Sequence, residues 1–94
     1  KYGKPILDRA LHYSMPLDDA LRCTLISFDS TLRSNVSVGL PLDVLVYHKD
    51  SFKIPEGKRI REDDPYFTQI SKQWSETLRR GLQELPKPTA DYGL

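Results

Sequence analysis

The fold class is decided by residues 17–47, which read LDDALRCTLISFDSTLRSNVSVGLPLDVLVY. From Leu42 to Tyr47, β-branched and aromatic residues dominate and apolar positions alternate, as in a strand. We therefore predict a helix that ends near residues 34–35, then a strand, in an α+β fold. The helical part has apolar residues every three or four positions, namely Leu17, Leu21, Leu25, Phe28 and Leu32.

The flanks of this stretch refine both predictions. Pro16 and the Asp18/Asp19 pair suit the first turn of a helix, where a missing N–H costs nothing and negative charge complements the dipole. Cys23 and Ile26 widen the apolar face, so we expect burial on more than one side of the helix. Successive side chains of a strand point to opposite faces, and here each face includes apolar residues. This pattern predicts a strand that is covered on both faces.

The segments around the central stretch predict a short helix before it and a hairpin after it. In residues 4–13, apolar side chains recur at helical spacing after Pro5, a residue that suits a first helical turn. This pattern indicates a helix. Residues 48–51 read as a turn, and Phe52 and Ile54, extended to Ile60, suggest a second strand interrupted at residues 55–57. Because a lone hairpin is marginal in water, we expect it to be the edge of a larger sheet.

A long helix is predicted to close the fold. Asp63 or Asp64 caps it, and Pro65 takes its first turn. The expected order is α-α-β-β-α within one domain, residues 1–86, followed by an irregular tail, residues 87–94, where prolines stop the helix. Trp74 lies at the centre of the stripe and is expected to be buried against a sheet. The apolar stripe consists of Phe67, Ile70, Trp74, Leu78, Leu82 and Leu85.

Composition and charge exclude several classes of function. The net charge is only +1, which rules out a strong electrostatic argument for binding to nucleic acid or to an anionic membrane. No apolar run approaches the roughly 18 residues of a transmembrane helix. One cysteine, Cys23, allows no internal disulfide, which favours a reducing, cytoplasmic location. The chain starts at Lys1 rather than Met, so we expect it to begin inside a longer gene product or after processing.

The candidate chemical groups do not assemble into a site of their own. His12, His48 and Cys23 share no metal-ligand spacing, so neither a metal nor a cofactor is expected. Cys23 reads as a small buried hydrophobe. No set of nucleophile, base and orienting group is present, so no catalytic residue is expected here. The polar segment 30–39 has two open readings: it satisfies carbonyls at a helix end, or it supports a catalytic group brought by another segment.

Several blocks of the sequence resemble the C-terminal part of the bacterial proteasome-type peptidases called Anbu, relatives of proteasome β-subunits and of the bacterial HslV peptidase. The resemblance covers about residues 1–86. The blocks are residues 2–9 (YGKPILDR), 16–21 (PLDDAL), 30–39 (STLRSNVSVG), 42–47 (LDVLVY), 63–67 (DDPYF) and 70–74 (ISKQW).

The resemblance implies a four-layer αββα sandwich of the N-terminal-nucleophile hydrolases and a threonine-type peptidase activity on peptide or protein substrates. It implies that the nucleophilic Thr, with the Asp and Lys that tune it, belongs to the N-terminal half, which would be this segment's partner. A homo-oligomer is expected. This chain alone is then not catalytic. The alternative is a small α+β protein-interaction module without chemistry.

The resemblance also indicates two candidate site residues. Proteasome β-subunits have an Asp just after the second of these helices and a Ser three residues on, both supporting the nucleophile. Ungapped counting places Asn35 at the Asp position and Val38 at the Ser position, with Ser37 one residue early. Asn donates and accepts hydrogen bonds but cannot titrate. Asn35 and Ser37 are therefore expected to support the nucleophile and not to act as acid or base.

Overall fold

The computed structural model describes residues 3–12, 14–35 and 38–93 and confirms the α+β class. A two-stranded antiparallel sheet lies against the helices. In chain order the elements are α1 (Lys4–Ala10), α2 (Leu17–Ser34), β1 (Leu42–Val44), β2 (Lys58–Ile60), α3 (Pro65–Glu84) and a 3-10 turn (Ala90–Tyr92).

Helix α1 is shorter than predicted. It starts with Pro5 in its first turn, as expected, but ends at Ala10 instead of extending to Tyr13, which lies outside the described residues. Leu11 has extended dihedrals of −84° and 131°, and its N–H still donates to the Leu7 carbonyl at 2.9 Å. Leu11 is 43% exposed, so no buried contact favours a further helical turn.

Helix α2 matches the prediction at both ends and is buried on more than one side. Cys23, Leu25, Ser27 and Asp29 are all buried, although successive residues of a helix point about 100° apart. Burial at four alternating positions therefore means that structure surrounds much of the helix. Two of these four residues are polar, which the apolar stripe did not indicate.

The hairpin contradicts the predicted position of its second strand. β1 pairs antiparallel with β2, with Leu42 opposite Ile60. Phe52 and Ile54, expected in that strand, are 91% and 96% exposed. Asp50 and Phe52 have φ values of 60° and 54°, which an extended strand cannot accommodate. Of the predicted strand, only the extension to Ile60 is correct.

The first strand is also shorter than predicted and is not covered on both faces. β1 stops at Val44, and Leu45 and Tyr47 beyond it are 66% and 56% exposed. Leu42 and Val44 are only half-buried. Within the described residues, no other strand pairs with β1. Residues 45–47 are thus apolar in character but have no pairing strand in the described part of the chain.

Helix α3 is fixed at its start by the predicted cap. The Asp64 carboxylate accepts the Phe67 N–H at 2.9 Å and lies 3.3 Å from the Lys58 ammonium. The Phe67 N–H, together with Lys58, holds the pKa of Asp64 below its ordinary value. This cap brings Phe67 into the core with Leu25 and Ile60. Half-buried apolar residues surround that core, namely Leu21, Leu32, Leu40, Leu42, Val44 and Ile70.

The second half of α3 is largely uncovered, which contradicts the expected burial of Trp74 against a sheet. Trp74 is only half-buried. Its indole Nε1 is shielded from solvent, yet it has no hydrogen-bond partner in the described part of the chain. Further along, Leu78, Leu82 and Leu85 are 55%, 71% and 62% exposed. The apolar stripe therefore continues well past the structure that packs against it.

Two further observations bear on the tail and on membranes. Residues 87–93 are exposed, as in an irregular tail, but they contain the 3-10 turn that the sequence did not predict. Among the described helices, none combines the length and the apolar character needed to cross a bilayer.

Candidate functional site

A groove lies between α1 and one face of α2 and reaches the joint that leads to β1. It encloses about 380 Å3 and is lined mainly by apolar surface. Ser27, Phe28 and Thr31 line it from α2, the first turn of α1 closes one side, and Val38 closes the end near the joint. We call this space the joint groove. Thr31 and Val38 of the polar segment 30–39 both line it.

Gly3 lets α1 approach α2 and so sets the width of the joint groove. A Cβ atom at Gly3 would lie 2.8 Å from the Ser27 carbonyl oxygen and 3.0 Å from the Ser27 Cβ. The first of these neighbours is backbone and cannot rotate away. Ser27 is itself buried, and its Oγ donates to the Cys23 carbonyl at 2.8 Å. Only glycine permits this contact without displacing α1.

Asn35 forms the joint between α2 and the extended segment. Its N–H donates to the Thr31 carbonyl at 2.9 Å, and its own carbonyl accepts the Val38 N–H at 3.2 Å. Its dihedrals of −142° and 108° turn the chain out of the helix. Asn35 is half-buried and is therefore held between the end of α2 and Val38, a residue of the joint groove. Ser37, the other candidate, lies outside the described residues.

Two hydroxyl groups of the polar segment, those of Ser30 and Thr31, form hydrogen bonds within α2 itself. Ser30 Oγ donates to the Ile26 carbonyl and Thr31 Oγ1 donates to the Ser27 carbonyl, both at 3.0 Å. Such bonds to the carbonyl four residues back occur within helices and use the hydroxyl proton locally. Ser30 and Thr31 therefore do not donate toward a group in the groove.

The opposite face of α2 carries a polar network that the sequence analysis missed. Ser71 Oγ of α3 donates to Asp29 Oδ1 at 2.6 Å, and Arg33 Nε donates to Asp29 Oδ2 at 3.3 Å. Arg33 Nη2 also donates to Ser71 Oγ at 3.2 Å. The sequence contains one sign of this network. Asp29 lies four residues after Leu25 and three before Leu32, a helical spacing at which an apolar residue is expected. We call these three residues the Asp29 network.

Among the described residues, Cys23 and His12 do not belong to a catalytic set. Cys23 is buried and free. His12 Nδ1 lies 3.1 Å from Ser14 Oγ, but both are exposed and only two residues apart, and no described carboxylate orients the ring. Catalysis by such a pair needs a third, orienting group. Nor do the described residues contain a group of three or more His, Cys, Asp or Glu able to hold a metal ion.

Comparison with solved structures gives consistent neighbours. The chain is similar to a protein from Pseudomonas aeruginosa solved as a helical assembly of the Anbu complex, with 61% identity over 98% of this chain and a TM-score of 0.94. Anbu (ancestral beta-subunit) from Yersinia bercovieri shares 57% identity over 95% of this chain, with a TM-score of 0.89. Anbu from Hyphomicrobium sp. strain MC1 shares 48% over 92%, with a TM-score of 0.86.

These neighbours are longer than this chain. It spans 38% of the Pseudomonas and Yersinia chains and 37% of the Hyphomicrobium chain. No protein-family model matches the sequence. No curated protein matches it either.

Proposed function

The chain belongs to the Anbu (ancestral beta-subunit) family, and we propose from this membership that it is part of a proteasome-type threonine peptidase subunit. The family resemblance seen in the sequence is thereby confirmed. Its 38% share of the neighbours' length fits a C-terminal portion. The observation that carries the proposal is the similarity to the Pseudomonas protein over nearly the whole of this chain.

In the proposed subunit, the two-stranded sheet is the edge of one sheet of a four-layer αββα sandwich. The exposed apolar residues beyond β1, Leu45 and Tyr47, support this because they have strand character but no pairing partner among the described residues. The N-terminal half of the same protein supplies the missing strands and the remaining layers. Residues 1–86 form the C-terminal portion of that domain, and residues 87–94 form its tail.

The proposed chemistry uses an N-terminal Thr that is not in this chain. Its own α-amino group takes the hydroxyl proton as the oxygen attacks the peptide carbonyl. The same proton then passes to the peptide nitrogen, the C–N bond breaks, and the amine product leaves an acyl-enzyme ester on the Thr. Water then hydrolyses the acyl-enzyme ester and frees the Thr. The nucleophile and base belong to one residue, so the reaction needs no cofactor and no metal. The absence of a catalytic set from the described residues is compatible with this division of roles.

We assign Asn35 a supporting role in that reaction. It is half-buried at the end of α2 and bonded through its backbone to Thr31 and Val38, both of which line the joint groove. A neutral amide at this position donates or accepts a hydrogen bond at any pH. The joint groove then receives the N-terminal segment that carries the nucleophile. Ser37, two residues further on, is proposed to contribute its hydroxyl to the same support.

The proposed partners follow from the same family membership. The Pseudomonas neighbour was solved as a helical assembly, and we extend homo-oligomerisation to this protein. Peptides or proteins are the proposed substrates, and the cytoplasm is the proposed compartment. The net charge of +1 gives no basis for a nucleic-acid or membrane partner.

The test uses the complete subunit that contains this sequence. Mass spectrometry should find a mature N-terminal Thr, and fluorogenic peptides should be hydrolysed at a rate that is lost when that Thr is replaced by Ala. The 94-residue chain alone, as a matched control, should show no turnover. Thr-independent turnover, or turnover that scales with the amount of the isolated 94-residue chain, would contradict the proposal.

A further inference from the structure

The Asp29 network places a carboxylate where an apolar side chain would cost less. The Asp29 side chain is 8% exposed, yet both of its oxygens are bonded, one to Ser71 and one to Arg33. Burying a charged group is unfavourable unless hydrogen bonds and an opposite charge compensate for it. Here one charge and one hydroxyl do so. A network of this kind is not needed merely to hold two helices together.

The network differs from apolar packing because it is directional. Each of its bonds joins two defined atoms, and the Ser71 hydroxyl both donates to Asp29 and accepts from Arg33. Two of its members lie on α2 and one lies on α3, so the closed triangle fixes the rotation of α2 about its axis relative to α3. Apolar contacts around Leu25 alone tolerate small rotations, because dispersion forces have little directionality.

The network lies at the last turns of α2, next to the joint. Arg33 is two residues before Asn35, which is about 3 Å along a helix axis. Its positive charge also suits a helix C-terminus. Fraying of the last turn would break the bond from the Asn35 N–H to the Thr31 carbonyl and displace Asn35 from its place at the joint. We infer that Asp29, through Ser71 and Arg33, is a positioning residue for Asn35 and for the joint groove.

The inference deepens the proposed function and rests on it for its catalytic consequence. If Asn35 supports the nucleophile, loosening the network should lower kcat and leave KM nearly unchanged, because the support acts in the transition state. The positioning itself is measurable without any activity. The amides of Asn35 and Val38, which bond to Thr31 and Asn35, report directly on the joint.

The experiment compares Ser71→Ala with wild type in the complete subunit. Hydrogen exchange at the Asn35 and Val38 amides should be at least about tenfold faster in the variant, as expected for local opening of a helix end. At a temperature where both proteins are fully folded, kcat should fall about tenfold with KM changed less than twofold. Ser71→Thr, which keeps the hydroxyl, should restore most of both signals.

A matched control and a second variant keep the test decisive. Ser75→Ala removes the same hydroxyl one turn further along α3, outside the network, and should leave exchange and kcat as in wild type. Asp29→Asn keeps the shape of the side chain but removes its charge, and it should accelerate exchange at both amides.

Unchanged exchange at the joint in both Ser71→Ala and Asp29→Asn would overturn the inference, whatever the activity. A wild-type subunit without peptide turnover would overturn the proposed function instead.

Discussion

The two faces of helix α2 are built in opposite ways. On the closed face, Leu25 is 2% exposed and packs with Ile60 and Phe67, and Asp29 bonds to α3. On the open face, Ser27 meets Gly3 of α1, while Phe28 is 37% exposed beside a groove of about 380 Å3. One face packs against β2 and α3 through a buried core, and the other meets α1 through a close backbone approach beside the joint groove.

This difference separates the residues that hold α2 in place from the residues that α2 presents to the joint groove. Filled interiors lose several kcal/mol when a side chain is truncated, whereas an unfilled groove has room for a chain segment. The closed face therefore determines stability and orientation, and the open face with its joint provides the proposed support for catalysis. Substitutions in the complete subunit can disrupt each face of α2 separately.

The largest effect is expected on the closed face. Leu25→Ala should lower the free energy of unfolding by about 2–5 kcal/mol, because a buried leucine leaves a cavity and loses its transfer free energy. Chemical denaturation measures this loss. Leu17→Ala, on the same helix but at a residue 46% exposed, is the control and should change stability by no more than about 0.5 kcal/mol. Equal losses at both positions would remove the distinction between the faces.

A smaller effect is expected where α1 meets the open face. Gly3→Ala forces a Cβ to within 2.8 Å of the Ser27 carbonyl oxygen, so α1 must shift, at a cost of about 1–3 kcal/mol. Gly39→Ala is the matched control: nothing lies within 4 Å of its Cβ position, and its φ is not in the left-handed region. It should be neutral or stabilise by up to about 1 kcal/mol. A Gly3→Ala subunit as stable as wild type would show that the close approach is not required.

The closed face was largely predictable from the sequence, because its determinants are periodic. The stripe from Leu17 to Leu32 located α2, and the cap and proline at Asp64 and Pro65 located the start of α3. Their signals are local: a helix has one spacing and its first turn has preferred residues. Phe52 and Ile54 also have the alternation typical of a strand. In the structure, however, Phe52 has a positive φ, and the strand that pairs with β1 lies later in the chain, at Lys58–Ile60.

The candidate site was predictable only in part. Asn35 became a candidate because it follows a predicted helix and matches a family position, and both are features of local sequence. The bond between Asp29 and Ser71 joins residues 42 positions apart, and it depends on how α2 and α3 pack. The role of Gly3 depends on the carbonyl of Ser27, which no sequence pattern indicates. Contacts made by tertiary packing were therefore the ones missed.

The smallest stability effect is expected from acid titration of the cap that brings α3 to the closed face. Donation by the Phe67 N–H lowers the pKa of Asp64, so its stabilising contribution is fully present above the ordinary Asp pKa of about 4. It is lost as the pH falls through the lower pKa of the folded protein. Thermal melts of the complete subunit between about pH 5 and pH 2 should show this loss, and Asp64→Asn, which caps without titrating, should reduce it. An identical acid dependence in the variant would exclude this contribution.

The most direct measurement is steady-state peptide hydrolysis by the complete subunit carrying Asn35→Ala, with thermal melting of the same preparation. If the joint supports the nucleophile, kcat should fall by about fivefold to 150-fold, as for one lost hydrogen bond of about 1–3 kcal/mol, with little change in KM or in melting temperature. Ser34→Ala, at the exposed neighbouring residue, should behave as wild type. An unchanged kcat in a folded, assembled Asn35→Ala subunit would contradict the supporting role of the joint.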